Sequence, residues 1–441
     1  MKFSKSAALY LLKNKLYKDL NFTLDFLSWD KDSIRRFQNE KLSKLLDHAR
    51  RNVPYYSEIL ENIKGIQDIP QIPFLTKKII RERINDLKAV NFPARAFKSN
   101  STSGSTGESM HFFSDSGNTY AEACYIRGDM MSGWQYGEKN VILWGALRDM
   151  NETENLLEKI KRKAIRRYEI LSSFTLYDEK IAEYIRFINK FRPALIIGYP
   201  TGLSLMSEYM IRNGLNIYKP AAVISAGETL FDFQREIIEK GFGRKVFNRY
   251  GCREVSQIAS ECTAHDGLHI SVDHLFVEIL NEKGEYVQPG ETGEIIVTDL
   301  DNYAFPLIRY KIGDMGAFKA TEFKCSCGVN LPMLDRVEGR TMDVIVGPNG
   351  NRVTGSFWTL FFRHNFTGID KFQVIQNSLN DLKLCFETNN SFRHENEQEI
   401  KSEIRKYLGD NINIEIEIVR EIDKTSTGKH RWVISNMSPF V

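Results

Sequence analysis

The spacing of apolar residues along the chain changes period more than once. Over residues 30–63 they recur at helical intervals, with Leu42, Leu45, Leu46 and Ala49 sharing a face, so this segment is predicted helical. The prolines Pro70 and Pro73 punctuate the next stretch, which leads into a basic helix over 77–87. From about residue 110, short apolar runs alternate with amphipathic ones. Segments 110–113, 141–144, 194–197, 222–224 and 245–248 are predicted as strands, and 118–131, 178–191, 203–213 and 231–240 as helices. Strands that are apolar throughout, separated by helices, point to a parallel sheet covered on both faces.

After Leu268 the period falls to two. Segments 269–280 and 293–299 read as antiparallel strands, with turns at Asn281-Glu282-Lys283-Gly284 and Pro289-Gly290-Glu291. Beyond Arg340 the pattern is that of a short α+β unit, with strands at 344–346, 371–376, 382–386 and 412–419 and a helix at 394–408. The fold class expected is α/β. A large domain, 1–337, carries parallel sheets covered by helices plus an antiparallel β region, and a small mobile α+β domain, 338–441, follows it.

Charge and composition narrow the function. A net charge of +3 over 441 residues does not make a nucleic-acid-binding surface. No apolar run approaches the roughly 20 residues that span a bilayer. Residues 1–19 carry lysines throughout and no small-residue cleavage site, so a cytoplasmic location is expected. Six cysteines in a chain of this length do not form a disulfide framework.

The densest local signal is Thr102-Ser103-Gly104-Ser105-Thr106-Gly107. Glycines allow sharp turns and close approach, and exposed backbone N–H groups among hydroxyls make an anion nest. Taken alone, such a segment equally serves as a plain surface loop. Four further segments follow in order: Ala226-Gly227-Glu228 and Tyr250-Gly251-Cys252-Arg253-Glu254, each after a predicted strand, then Arg309-Tyr310-Lys311-Ile312-Gly313-Asp314, then Lys424-Thr425-Ser426-Thr427-Gly428-Lys429. In this order they resemble the core motifs of the adenylate-forming superfamily. The phenylacetate–CoA ligase and CapK-like branch is the nearest in pattern, through Asn52-Val53-Pro54-Tyr55-Tyr56, the segment 372–376 and Ser426-Thr427-Gly428-Lys429-His430-Arg431.

The resemblance implies an AMP-forming carboxylate ligase that uses ATP and Mg²⁺. It assigns the leaving phosphates to Ser103, Gly104, Ser105, Thr106 and Gly107, and the magnesium to Glu254. Ala226, Gly227, Glu228, Arg249, Tyr250 and Gly251 surround the nucleotide, with Tyr250 stacked on adenine. Asp314 accepts from the ribose hydroxyls. Arg340 stands at the hinge and touches the nucleotide, and Lys429 bridges carboxylate and α-phosphate. Lys429, Glu254 and Thr106 are the implied catalytic groups. Two anions must react, so cations and donors are what the chemistry needs. Glu108, Cys252, Arg253 and the pair Lys311-Ile312 depart from the usual pattern without removing such a group. The acyl pocket is expected from Trp144, Tyr199, Pro200, Ser225 and Cys252. The acceptor is expected to be the thiol of coenzyme A. An amine or hydroxyl on a saccharide-linked substrate, adenylyl transfer, and an inactive nucleotide-binding scaffold are the rivals.

Two features lie outside those motifs. Cys325-Ser326-Cys327-Gly328, with Cys262 and His269 upstream, offers three sulfurs and an imidazole, the ligand set of a closed structural zinc site. His265 could replace His269, and Cys252 could replace Cys262. Free reduced thiols are the alternative. The stretch 157–170 places Leu157, Ile160, Ala164 and Tyr168 on one helical face and the basic run from Lys159 to Arg167 on the other. It reads as a solvated helix or as a contact for a carrier, for CoA phosphates or for a membrane surface.

Overall fold

The computed structural model describes residues 15–63, 65–101, 110–144, 167–173, 176, 178–340, 345–348, 352–353, 358, 361–362, 366–393, 395–423 and 431–436. The chain divides into two units. The first comprises residues 1–312 and 316–336, the second residues 313–315 and 337–441.

Nineteen strands are described. β1 (Phe97–Ser101) and β2 (His111–Asp115) form an antiparallel hairpin of their own. The other strands up to residue 340 are β3 (Asn140–Trp144), β4 (Tyr168–Ser172), β5 (Leu195–Gly198), β6 (Ala222–Ala226), β7 (Val246–Cys252), β8 (Ser256–Glu261), β9 (Leu268–Ile270), β10 (Leu275–Leu280), β11 (Gly293–Asp299), β12 (Tyr310–Phe318) and β13 (Met333–Arg340). They make one eleven-stranded sheet in the order β10-β11-β12-β13-β9-β8-β7-β6-β5-β3-β4. From β4 to β7 neighbours run parallel, whereas β7–β8, β8–β9 and β9–β13 are antiparallel. The parallel and antiparallel regions read from the sequence are therefore halves of one sheet.

The parallel half is covered on both faces. Leu195, Ile197, Ala222 and Ile224 pack with Leu16, Leu20, Ala123, Ile126 and Met130. The alternate residues Ile196 and Val223 pack with Ile181, Ile185, Ile188, Ile238 and Phe242 on the other side. Period-two alternation of side chains sends each strand into both cores, which is why these strands read as apolar almost throughout. The helix Asp178–Phe191 buries Ile181, Tyr184, Ile185 and Ile188, one stripe at 3.6-residue spacing. Among the described residues no helix is long and apolar enough to cross a membrane.

In the second unit β14 (Ile345–Val346) pairs with β15 (Arg352–Val353). β16 (Ile369–Ser378), β17 (Asp381–Thr388), β18 (Asn413–Ile418) and β19 (Val433–Ser435) form a four-stranded sheet in the order β18-β17-β16-β19. The helix Asn396–Leu408 contributes Ile400, Ile404 and Leu408 to a core with Phe362, Phe372, Leu384 and Phe386.

Several sequence expectations are corrected. Segment 269–280 is not one strand: β9 ends at Ile270 and β10 starts at Leu275. The chain turns between them because Asp273, fully buried, takes a bidentate pair from Arg127 at 2.6 and 2.9 Å, and a buried carboxylate without that partner would be costly. The helix expected to reach Ile170 does not, since Tyr168–Ser172 is β4, paired with β3 in register Asn140↔Tyr168. Tyr168, Ile170 and Leu171 favour a strand wherever a ladder is on offer. The rest of the basic stretch, Lys159 to Arg166, lies outside the described residues. The helix at 77 is Lys77–Glu82, shorter than expected.

Candidate active site

Because β3, β5, β6 and β7 are parallel, their C-terminal ends open on the same edge of the sheet, where open α/β sheets bind ligands. Trp144 ends β3, Tyr199 and Pro200 follow β5, Ser225 and Ala226 end β6, and Tyr250 to Cys252 end β7. The structure thus brings the expected acyl-pocket and nucleotide residues of four strands to one edge.

At the end of β6, Gly227 adopts φ 81°, and a Cβ there would meet Tyr199 at 2.8 Å and Trp144 at 3.1 Å. Those two rings lie 4.3 Å apart at 32°. A side chain at 227 would have to displace this aromatic pair. Glu228 turns its carboxylate to the start of the helix Pro200–Arg212, accepting from the Thr201 hydroxyl at 2.8 Å and the Thr201 N–H at 3.3 Å. A carboxylate at a helix N-terminus meets free N–H groups and the positive end of the dipole.

β7 and β8 form a tight hairpin. Cys252 pairs with Ser256, leaving Arg253, Glu254 and Val255 as its turn. A Cβ on Gly251 would sit 2.4 Å from the Ser256 carbonyl oxygen, and Ser256 itself has φ 63°. Glu254 sits in this turn, nearly buried, with Oε1 accepting from the Tyr310 hydroxyl at 2.9 Å. Arg253 donates to the Ser101 carbonyl at 3.3 Å. Ser101 pairs with His111 at the ends of β1 and β2 that flank this segment in the sequence. The end of the β1–β2 hairpin therefore meets the Glu254 turn.

Ser103, Gly104, Ser105, Thr106, Gly107 and Lys429 lie outside the described residues, as does the side chain of Arg340, whose backbone closes β13. Asp314 is on β12, in the stretch that groups with the second unit. Arg249 is buried and donates to Asp129 Oδ1 at 2.7 Å, with its guanidinium 4.3 Å from the Tyr125 ring centroid. Burial pushes the Asp129 carboxyl up while Arg249 draws it down. With its guanidinium committed there, Arg249 can serve a nucleotide through its main chain. Tyr310, Thr201 and Asp129 were not assigned roles by sequence reasoning. For Tyr310 the signal was present, one residue after Arg309 in a quoted motif.

A second cluster lies in the antiparallel half. The sulfurs of Cys262, Cys325 and Cys327 and a ring nitrogen of His269 all fall within 4.8 Å of one another. Cys262 and Cys325 Sγ are 3.5 Å apart, and Cys327 Sγ is 3.3 Å from His269 Nε2. Zn–S near 2.3 Å and Zn–N near 2.0 Å imply tetrahedral edges of roughly 3.5–3.8 Å, close to these spacings. Cys262 follows β8, His269 lies on β9 between β8 and β13, and Cys325 and Cys327 sit in the β12–β13 connection. Met131, Met333 and Phe323 wall the cluster. Burial pushes the Cys262 thiol up to about 12 and pulls the His269 imidazole down, toward the neutral form that ligates metals. His265 instead faces Glu261 at 3.3 Å.

Residues 345–436 match the CapK C-terminal domain family. The chain is 25% identical to protein CapK of Staphylococcus aureus, with 97% of this chain and 96% of that protein aligned. It is 26% identical to a phenylacetate–coenzyme A ligase of Thermus thermophilus, over 72% of each chain. A crystal structure of 2-hydroxyisobutyryl-CoA ligase, in a postadenylation state with a bound acyl-AMP, superposes with a TM-score of 0.70 at 18% identity, covering 91% of this chain and 90% of that one. The fold is that of adenylate-forming ligases, the ordered motifs agree with it, and over most of its length the chain is similar in sequence to CapK and the phenylacetate–CoA ligases.

Proposed function

We propose that the chain activates a carboxylic acid with Mg·ATP and passes the acyl group to the thiol of coenzyme A. In the first step a carboxylate oxygen bonds to the α-phosphorus, the bond to the β-phosphate oxygen breaks, and pyrophosphate leaves. In the second the thiol sulfur attacks the acyl carbon, the thiol gives up its proton, and AMP departs with the bonding pair. The observation that carries this reading is the meeting of the β1–β2 stem with the Glu254 turn, through Arg253 and Ser101.

In this reading the segment Ser103–Gly107 donates to the leaving phosphates, and Glu254 holds magnesium, a hard cation suited to carboxylate oxygen. Tyr250 lies along the adenine and Asp314 accepts from the ribose. Lys429 neutralises charge between the carboxylate and the α-phosphate. The Trp144–Tyr199 pair walls the acyl group, and Ser225 and Cys252 line it.

The test is pyrophosphate exchange into ATP across a panel of carboxylic acids, followed by addition of CoA. Exchange that depends on one class of acid, with thioester appearing only when CoA is present, is the expected result. Exchange without thioester, and acyl transfer to an added amine instead, would replace CoA as the acceptor. Lys429→Ala should lower exchange by orders of magnitude, and an unchanged rate would remove its assigned role.

A structural zinc ion held by Cys262, His269, Cys325 and Cys327 is part of the same proposal. Four protein ligands leave no open position, so its contribution is to stability: it ties β8 and β9 to the β12–β13 connection. Metal analysis of the purified protein should find one zinc per chain, and substoichiometric zinc in protein made in zinc-replete medium would reject it.

A further inference from the structure

The turn that separates β9 from β10 ends in His274, which is fully buried. Its Nε2 lies 3.1 Å from the Val255 carbonyl oxygen, inside the hairpin turn that carries Glu254. Its Nδ1 lies 2.9 Å from Asp301 Oδ2 and 3.6 Å from Asp299 Oδ1. A carbonyl can only accept, so Nε2 donates. Asp301 takes Lys41 Nζ at 2.6 Å on its other oxygen, which marks it as an ionised carboxylate, so Nδ1 donates as well. Both nitrogens carrying protons makes the ring an imidazolium. Burial by itself would lower the His274 pKa, but Asp299 and Asp301 outweigh it and the net direction is upward. Lys41 opposes them in part, and is anchored in turn to the Asp273 carbonyl at 2.7 Å.

We propose that His274 is a positioning residue for the reaction, fixing through Val255 the turn on which Glu254 meets the nucleotide's magnesium. This rests on the reading of Glu254 given above.

The geometry explains why such a support is needed. The turn is short, Ser256 holds a left-handed backbone, and Gly251 touches the Ser256 carbonyl. Hairpin turns of this kind leave carbonyls without ladder partners. The imidazolium supplies a charged donor to the Val255 carbonyl, stronger than a neutral one. From the other side Tyr310 fixes the Glu254 carboxylate itself. Backbone and side chain of the same turn are thus held by two different strand regions. The two carboxylates and the imidazole could in principle bind a cation. Lys41 and the imidazolium already supply positive charge there, so the cluster reads as an ion-pair relay from the Lys31–Asn52 helix to the turn.

The test measures pyrophosphate exchange against free Mg²⁺, against ATP and against the acid, for the full-length wild type, His274→Gln, His274→Asn and Glu254→Gln, with thermal melts of each. Outer partners of metal ligands typically change metal affinity by 10-fold or more. His274→Gln and His274→Asn should therefore raise the Mg²⁺ concentration for half-maximal rate about 10-fold, with the KM for the acid unchanged. A merely structural histidine would lower the amount of active protein and leave every half-saturation point where it was, and that result overturns the proposal. If Glu254→Gln raises the Mg²⁺ requirement and the His274 variants do not, the positioning role fails while the reading of Glu254 stands. If Glu254→Gln itself leaves the requirement unchanged, the reading of Glu254 fails and this inference with it. Should neither His274 variant fold, Asp301→Asn replaces them. It keeps an acceptor for Nδ1 but removes the charge, and should shift the Mg²⁺ requirement in the same direction, with no shift overturning the proposal.

Discussion

His269 and His274 stand on either side of one turn, and both are buried, yet they occupy opposite charge states. Burial disfavours an imidazolium in each case. Around His269 the Leu331 backbone opposes it only in part, the Arg127 charge acts with it, and its pKa falls. Around His274 two carboxylates outweigh burial and its pKa rises. The first is a neutral ring ready to ligate a cation, and the second is itself the cation. What a buried histidine does is therefore set by the strands that its neighbours arrive on. The end of β8 and the β12–β13 connection bring sulfurs to His269, and β11 with the loop after it brings carboxylates to His274. The comparison also separates stability from activity. The cysteine cluster ties strands together, whereas the His274 relay ends on the turn that carries Glu254.

The largest effect should come from breaking the first region. Cys325→Ser leaves three ligands, and the zinc content should fall from about one per chain to a small fraction. Loss of a structural metal is among the few single changes that cost on the order of 4 kcal/mol or more, so a clear drop in the denaturant midpoint is expected. A variant that keeps both its zinc and its midpoint would leave the cluster as free thiols. Next in size is Gly251→Ala. The new methyl would press on a backbone carbonyl, which cannot move aside as a flexible side chain can. Overpacking of this kind costs about 1–3 kcal/mol, and here it should also open the hairpin and depress pyrophosphate exchange. A neutral substitution would mean that the turn is looser than its contacts imply.

pH sets the two histidines further apart. The folded pKa of His274 is raised above its ordinary value of 6.5. Its stabilising contribution is therefore fully present below about pH 6.5 and is lost as pH climbs through the folded value. The difference in stability between wild type and His274→Gln should be largest below about pH 6.5 and shrink as the pH rises above it. Asp299, Asp301 and Lys41 face the ring from the neighbouring elements, and two negative charges against one positive fix that sign. A gap that widens with rising pH would mean that the ring is neutral in the folded protein.

The two regions were not equally legible in the sequence. Cysteine and histidine at short spacings carry their chemistry in the residue type, so Cys262, His269, Cys325 and Cys327 could be grouped before any strand was placed. His274 could not. Alternation from His269 to Leu280 reads as one strand, and the break in it depends on Arg127, far away in sequence, meeting Asp273. Period-two and period-3.6 patterns gave the strands of the parallel half nearly as they are, because each buries side chains on both faces. They were silent about β1, whose residues Phe97–Ser101 are mostly polar and owe their strand to pairing with β2. They misread Tyr168–Ser172, where a ladder on β3 overrode a helical charge pattern. The motifs located Glu254, but what holds its turn is tertiary.

Tyr310 is the smallest lever on that turn. It stands 0% exposed, in a motif quoted for its aspartate, and its hydroxyl donates to Glu254 at 2.9 Å. Tyr310→Phe keeps the ring and removes only the donor. A single hydrogen bond of this kind contributes about 1 kcal/mol, somewhat more with a charged acceptor. Stability should fall by about that amount. If the bond orients the carboxylate toward magnesium, the Mg²⁺ requirement should rise about 3-fold, less than for His274→Gln, because the backbone of the turn is still pinned. The double variant of Tyr310→Phe with His274→Gln then separates two cases. Multiplying effects mean that side chain and backbone are held independently, and a double variant no worse than His274→Gln alone means that Tyr310 acts only on a turn already in place.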